Sequence, residues 1–158
     1  MDRVTVLVME WTRAKTGAQE YIDAMPEEGI GFKPMPQIFS FAEQMLHLAA
    51  TNYVFASIAS AQDNPYDPSK GQDPTKREDL KQSKAALRKF VLDSYDFMIN
   101  AVEGLNAAKL DESVQFFSMQ MPRYLLLAKA MEHHAHHRGQ TTIYLRLKGI
   151  TPPSERLF

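Results

Sequence analysis

Four of the chain's five histidines fall in one stretch, Glu132-His133-His134-Ala135-His136-His137-Arg138, and the fifth, His47, stands alone far upstream. Neutral imidazole suits zinc, nickel and other borderline divalent ions. On a helix, His133 and His137 are four residues apart, so their rings leave the same face one turn from each other. A third ligand from a neighbouring helix would complete a facial set, and His47 is the remaining isolated imidazole. Three protein ligands leave positions on the ion open to water or substrate, as in reactive sites, whereas structural sites are usually closed by four. Water held there loses a proton near neutral pH, so the expected nucleophile is an activated water on the metal, with no side chain assigned as the base.

Spacing alone leaves the ligand pair open, because His134 with His137 and His133 with His136 stand at i, i+3. Position along the helix favours His133 with His137. His133 and His137 continue the stripe Leu126, Ala130, Gln140, Tyr144 and Leu147, which predicts an interior face with His134 and His136 off it. Unpartnered imidazoles buried there would cost about 1–3 kcal/mol each.

Such a pair needs a long helix, and the pattern predicts one from Pro122, in the first turn, to about Lys148, with Gly149 as left-handed cap and Pro152-Pro153 barring its resumption. His47 needs another. Ser40 and Glu43 have the capping-box spacing, and Phe41, Met45, Leu48, Asn52, Phe55 and Ala59 make a mostly apolar stripe that fades by Ser60. A first helix spans Val4 to Met25 and a loop follows over 26–38. A second loop runs from Gln62 to Pro74. A third helix starts with a capping box at Thr75 and Glu78, carries a stripe from Leu80 to Val102, and ends at Gly104. Between Leu105 and Met121 the pattern suggests a helical turn near Leu110–Val114 and an extended piece at Gln115–Met121. Four long helices in one 158-residue domain predict an all-α four-helix bundle.

Composition narrows the function. Apolar residues at 44% supply a core, which argues against disorder. A net charge of −1 gives no overall field for nucleic acid. Cysteine is absent, so no thiolate nucleophile, disulfide or Cys-built metal site exists. The apolar stretch Val4–Met9 is too short for a signal peptide or a bilayer span, so the expectation is a cytoplasmic domain without membrane or nucleic-acid partners.

Ordinary readings compete at each candidate. His47 taken singly reads as a satisfied core residue, and the histidine tract as a solvated face. Glu43 could orient the second nitrogen of His47, but its capping role with Ser40 is preferred. Arg138 could meet an anionic substrate, a partner carboxylate or solvent. Tyr144 reads first as packing and second as a hydroxyl donor to the site. The nine methionines, Met119 and Met121 among them, read as core filler. Lys81, Lys84, Arg88 and Lys89 read as a solvated basic side of the third helix.

The chain resembles the DinB superfamily, the DNA-damage-inducible, YfiT-like group, along nearly its whole length. The likeness rests on Pro26-Glu27-Glu28, Phe32-Lys33-Pro34, the helix start Ser40 to His47, and above all His133-His134-Ala135-His136-His137-Arg138-Gly139-Gln140 followed by Leu145 to Pro153. Phe32 stands where relatives often have Trp. The resemblance implies an up-down-down-up bundle, a homodimer, and a divalent ion, zinc or nickel, on His47, His133 and His137. It further implies a small-molecule substrate and chemistry of the thiol S-transferase or hydrolase kind. Any low-molecular-weight thiol cofactor must come from outside a chain without cysteine. The alternative is a non-catalytic stress-response or ligand-binding protein whose metal is structural or vestigial.

Overall fold

Asp2 opens the first helix, its carboxylate accepting from the amides of Val4 and Thr5. In the computed structural model, which describes residues 1–157, that helix is α1 (Arg3–Ala24). It is followed by α2 (Phe41–Ser60), a short α3 (Glu78–Gln82), α4 (Lys84–Glu103), a short α5 (Ala107–Asp111), an antiparallel hairpin of β1 (Ser113–Phe116) and β2 (Met119–Pro122), and α6 (Arg123–Leu147). The four long helices are the bundle, as the sequence predicts.

Contacts at the helix ends set the directions. Lys84, at the start of α4, donates to the Asp23 carbonyl at the end of α1, so these two helices are antiparallel. Arg123, opening α6, donates to the Ala59 carbonyl near the end of α2, while Gln44 near the start of α2 meets Gln140 late in α6. That pair is antiparallel too. Tyr21 bonds Thr142 and Gly17 lies beside Arg138, so α1 and α6 run together. Asn52 donates to Ser94, and Glu43 near the start of α2 lies near Lys81 of α3, just before α4, so α2 and α4 are parallel. The order is up-down-down-up, and the chain from 61 to 77 and from 104 to 122 provides the crossings. Trp11, Phe41, Leu46, Tyr95, Met98 and Leu126 are fully buried between the helices. Each such side chain contributes about 1.5–3 kcal/mol of burial. No helix among the described residues is long and apolar enough to cross a membrane.

Several local expectations need correction. Thr75 and Glu78 do not form a capping box. Asp73 instead caps a single 3₁₀ turn through Thr75, and the third helix is broken at Ser83, whose hydroxyl accepts from the Ala86 amide to start α4. An extended Ser83 separates two helices that apolar periodicity runs together. The short helix lies earlier than expected, at Ala107–Asp111, because Asn106 caps it. The extended piece is a hairpin. Pro122 is the last strand residue and the N-cap of α6, with ψ 149°, rather than part of its first turn. Gly149 does sit at φ +74°, and the Gly149 and Ile150 amides donate to the Arg146 and Leu145 carbonyls in a Schellman closure. Met25, Met45 and Met98 are core filler, but Met119 is exposed on the hairpin. The basic side of the third helix is a solvated, paired surface, with Lys81 on Glu78, Arg88 on Asp23 and Lys89 on Asp93.

Candidate metal centre

The capping box of α2 forms in full: the Ser40 hydroxyl accepts from the Glu43 amide, and the Glu43 carboxylate accepts from the Ser40 amide at 2.7 Å. This start fixes the rotation of α2, which puts Phe41, Met45 and Leu48 in the core and leaves His47 half-buried on the side facing α6. Glu43 also pairs with Lys33 at 2.9 Å. Burial alone would raise its pKa, but the Ser40 amide and Lys33 outweigh that and hold it below the usual range. Glu43 thus serves the helix start and not His47.

The buried stripe of α6 is rotated by one residue from the expected one. It comprises Leu126, Leu127, Ala130, His134, Thr141, Tyr144 and Leu145, so Leu126, Ala130 and Tyr144 are buried as expected while Leu147 is exposed. His134 is therefore the most enclosed histidine, only 3% exposed, with Nδ1 2.6 Å from the Tyr95 hydroxyl and its ring edge-on to Trp11. Burial, with Arg138 and Arg13 nearby, pushes its pKa down to about 3. It is a neutral core histidine. His133 and His137 lie at the margin of this stripe, half-buried and turned toward α2.

There they meet His47. Ring centroids are 5.1 Å apart for His47 and His133, 4.5 Å for His47 and His137, and 4.4 Å for His133 and His137. One nitrogen from each ring lies within 4.8 Å of the others. Two hydrogen bonds select the nitrogens. Gln44 Nε2 donates to Gln140 Oε1 at 2.5 Å, which leaves Gln44 Oε1 toward His137, where it accepts from Nδ1–H at 2.8 Å. The single proton of the Thr51 hydroxyl goes to the carbonyl of His47 or Leu48, so its oxygen accepts from His133 Nδ1–H at 3.2 Å. Both histidines then carry the proton on Nδ1 and present a bare Nε2. Phe39 packs on the His47 ring at 5.8 Å between centroids.

Protonation agrees with this geometry. Burial lowers the pKa of His47. Burial and then the neighbouring imidazoles lower that of His133, and the same causes bring His137 to about 4. All three are neutral at pH 7, the form in which imidazole binds metal. A three-nitrogen donor set with free Nε2 atoms fits a divalent ion such as zinc.

Two clefts open on the cluster. One, of about 670 Å³, is lined by Thr51, Phe55, Phe116, Phe117, His133 and His136 among others. The second, of about 540 Å³, is lined by Phe39, Gln44, His137, Gln140, Ile143 and Tyr144 among others. Another depression, about 720 Å³ against Glu20 and the tail at 153–157, includes none of the histidines.

Of the other candidates, Tyr144 joins the site at one remove. Its hydroxyl donates to the Phe39 carbonyl at 2.6 Å, and Gln44 Nε2 lies 3.4 Å from it. Arg138 does not join it. Its guanidinium lies over the Tyr21 ring at 5.8 Å, in a separate cleft lined by α6, Tyr21 and residues 151–155. Gln44 and Thr51 were not singled out from the sequence. The available signal was their place on α2, three residues before and four after His47, as polar side chains on a largely apolar helix.

Residues 1–156 match the DinB family. An uncharacterized Bacillus subtilis protein, YrdA, is 39% identical over 69 residues, 40% of this chain, and the match spans about 41% of that protein's length. Among solved structures, a DinB-like protein from Bacillus cereus superposes with a TM-score of 0.78 at 20% identity, covering 94% of this chain and 95% of that one. A DinB-like protein from Bacillus subtilis gives 0.69 at 21%, covering 96% and 95%. A conserved protein from Enterococcus faecalis gives 0.73 at 17%, covering 93% and 97%.

Proposed function

The chain belongs to the DinB family, and from that premise we propose that it is a metal-dependent enzyme acting on a small molecule, by thiol S-transfer or hydrolysis, with His47, His133 and His137 holding a divalent ion. The observation that carries the reading is the convergence of three neutral imidazoles from two helices, at least two of them tautomerically set, on a point that two clefts reach. When bound, the ion supplies Lewis acidity that lowers the pKa of a water or thiol brought to it. The residues of the chain do the rest. Gln44 and Thr51 hold the rings of His137 and His133 in one tautomer. Phe39, packed on His47, limits the approach of solvent from one side. The absence of cysteine means that any reacting sulfur arrives with a cofactor or substrate.

A structural metal would be enclosed by four protein ligands. Among the described residues the cluster offers three, each half-buried, which favours the catalytic reading over the structural or vestigial one. The test is elemental analysis of the untagged chain after equilibration with zinc or nickel, with turnover assays on thiol-transfer and ester substrates. One equivalent of metal, lost in His133→Ala together with any turnover, supports the proposal. Absence of stoichiometric metal in the parent chain defeats it. Tight metal with no turnover across both substrate classes returns the protein to the non-catalytic reading.

A further inference from the structure

We infer that the cleft beside His133 binds a small molecule with a flat aromatic body, laid against a ladder of rings that runs from the histidine cluster to solvent. This names a substrate class for the site above and rests on that reading only for what the ligand's other end touches. The ladder is continuous. His133 and Phe55 lie 6.0 Å apart, Phe55 and Phe116 stack at 5.1 Å with 22° between planes, and Phe116 meets Phe117 edge-on at 4.7 Å. Its rungs come from α2, the hairpin and α6, so it is tertiary structure and not a local run. The cleft volume of about 670 Å³ suits a ligand of cofactor or metabolite size.

Phe117 carries the inference. It is the first of the two loop residues joining the paired Phe116 and Met119, and its φ is +51°. A positive φ at that place belongs to glycine, and a bulky ring there is an outlier. Burial does not repay the strain, because the side chain is 83% exposed. Turn chemistry does not explain a phenylalanine at this position, and its edge-on contact with Phe116, which leaves it 83% exposed, does not either. Its place at the mouth of a cleft that ends at His133 does, since an aromatic ligand lying against Phe116 would cover it. Lys129, Glu132 and His136 also line the cleft and suit polar substituents at the ligand's edge.

The test uses the zinc-loaded chain and two metal-binding probes that differ in one group, benzohydroxamate and acetohydroxamate, titrated calorimetrically. The aromatic probe should bind about tenfold more tightly. Phe117→Gly should bring the two within about twofold, with zinc affinity unchanged and a melting temperature no lower than the parent's, since glycine accepts the positive φ. In a second arm, benzyl alcohol is added to the chelator-treated chain while the Phe116 and Phe117 ring resonances are followed, and both should shift. Equal affinities for the two hydroxamates overturn the inference and leave the metal site standing. If zinc does not bind, the functional proposal falls and the metal-free arm alone decides, with unmoved ring resonances overturning the inference. A clear drop in melting temperature in Phe117→Gly overturns it as well, by making the ring a prop of the fold. Loss of a dimer in sedimentation, with probe affinities unmoved, overturns it in favour of a face between copies.

Discussion

At the scale of single residues, the state of the site is decided by which nitrogen carries each proton. Gln44 is buried, and its amide is oriented by Gln140, so its oxygen can only accept from His137. Replacing it with leucine removes the acceptor at nearly constant volume and frees the His137 ring to hold its proton on Nε2, where it blocks coordination. Gln44→Leu should therefore lower zinc affinity about 10- to 100-fold in calorimetry. Gln44→Glu, which keeps an acceptor oxygen, should lose much less. Unchanged affinity in the leucine variant would remove Gln44 from the site. His134 bears on stability instead. With a folded pKa of about 3 against 6.5 unfolded, the unfolded chain takes up a proton that the native chain refuses. Stability is then whole above pH 6.5 and is lost as pH falls from there toward 3. His137, at about 4, adds to the loss over its own part of that window. Urea midpoints of chelator-treated protein should fall between pH 7 and 5. His134→Gln, which can still bond the Tyr95 hydroxyl, should flatten that fall.

Elements place those residues, and their ends are where sequence and structure agreed or parted. The Ser40–Glu43 box was readable because a cap is a local bargain between residues three apart, and it starts α2 where His47 requires. Ser40→Ala should cost about 1 kcal/mol and show as a melting temperature about 2–4 °C lower. No change would mean that the rest of α2 holds the helix start without its cap. The Gly149 closure of α6 was readable for the same reason. The Thr75–Glu78 spacing was equally good on paper, but Asp73 competed for the Thr75 amide at shorter range, and Ser83 captured the start of α4. The rotation of α6 was harder to read. Apolar periodicity fixes a face only to within about one residue, and a histidine counts as polar whether it is buried against Tyr95 or turned to a metal. His133 and His137 were picked out as a pair, yet they lie at the edge of the buried stripe and His134 holds its centre. The partners that orient them, Gln44 and Thr51, depend on the register of α2 against α6. That register is a tertiary fact that no spacing along one helix encodes.

For the whole molecule, the consequential feature is that the histidines come from helices far apart in sequence, with α3, α4, α5 and the hairpin intervening between His47 and His133. The unfolded chain holds them far apart and its imidazoles carry protons below pH 6.5, whereas the folded chain presents them together and neutral. A divalent ion must therefore bind the native state in strong preference to the unfolded one. By linkage, ligand at about 100 times its dissociation constant adds about 2.7 kcal/mol of stability. In a chain of this size that is a melting temperature about 5–11 °C higher. Zinc should raise the transition by that amount, chelator should reverse it, and His47→Ala should abolish the shift although it changes only α2. The sharpest form of the prediction is the pairing of His47→Ala with His137→Ala. If the ion clips α2 to α6, either substitution removes the whole increment and the double variant removes no more. If zinc instead stabilises through the α6 histidines alone, His47→Ala keeps most of the rise, and the two helices are held only by their packing.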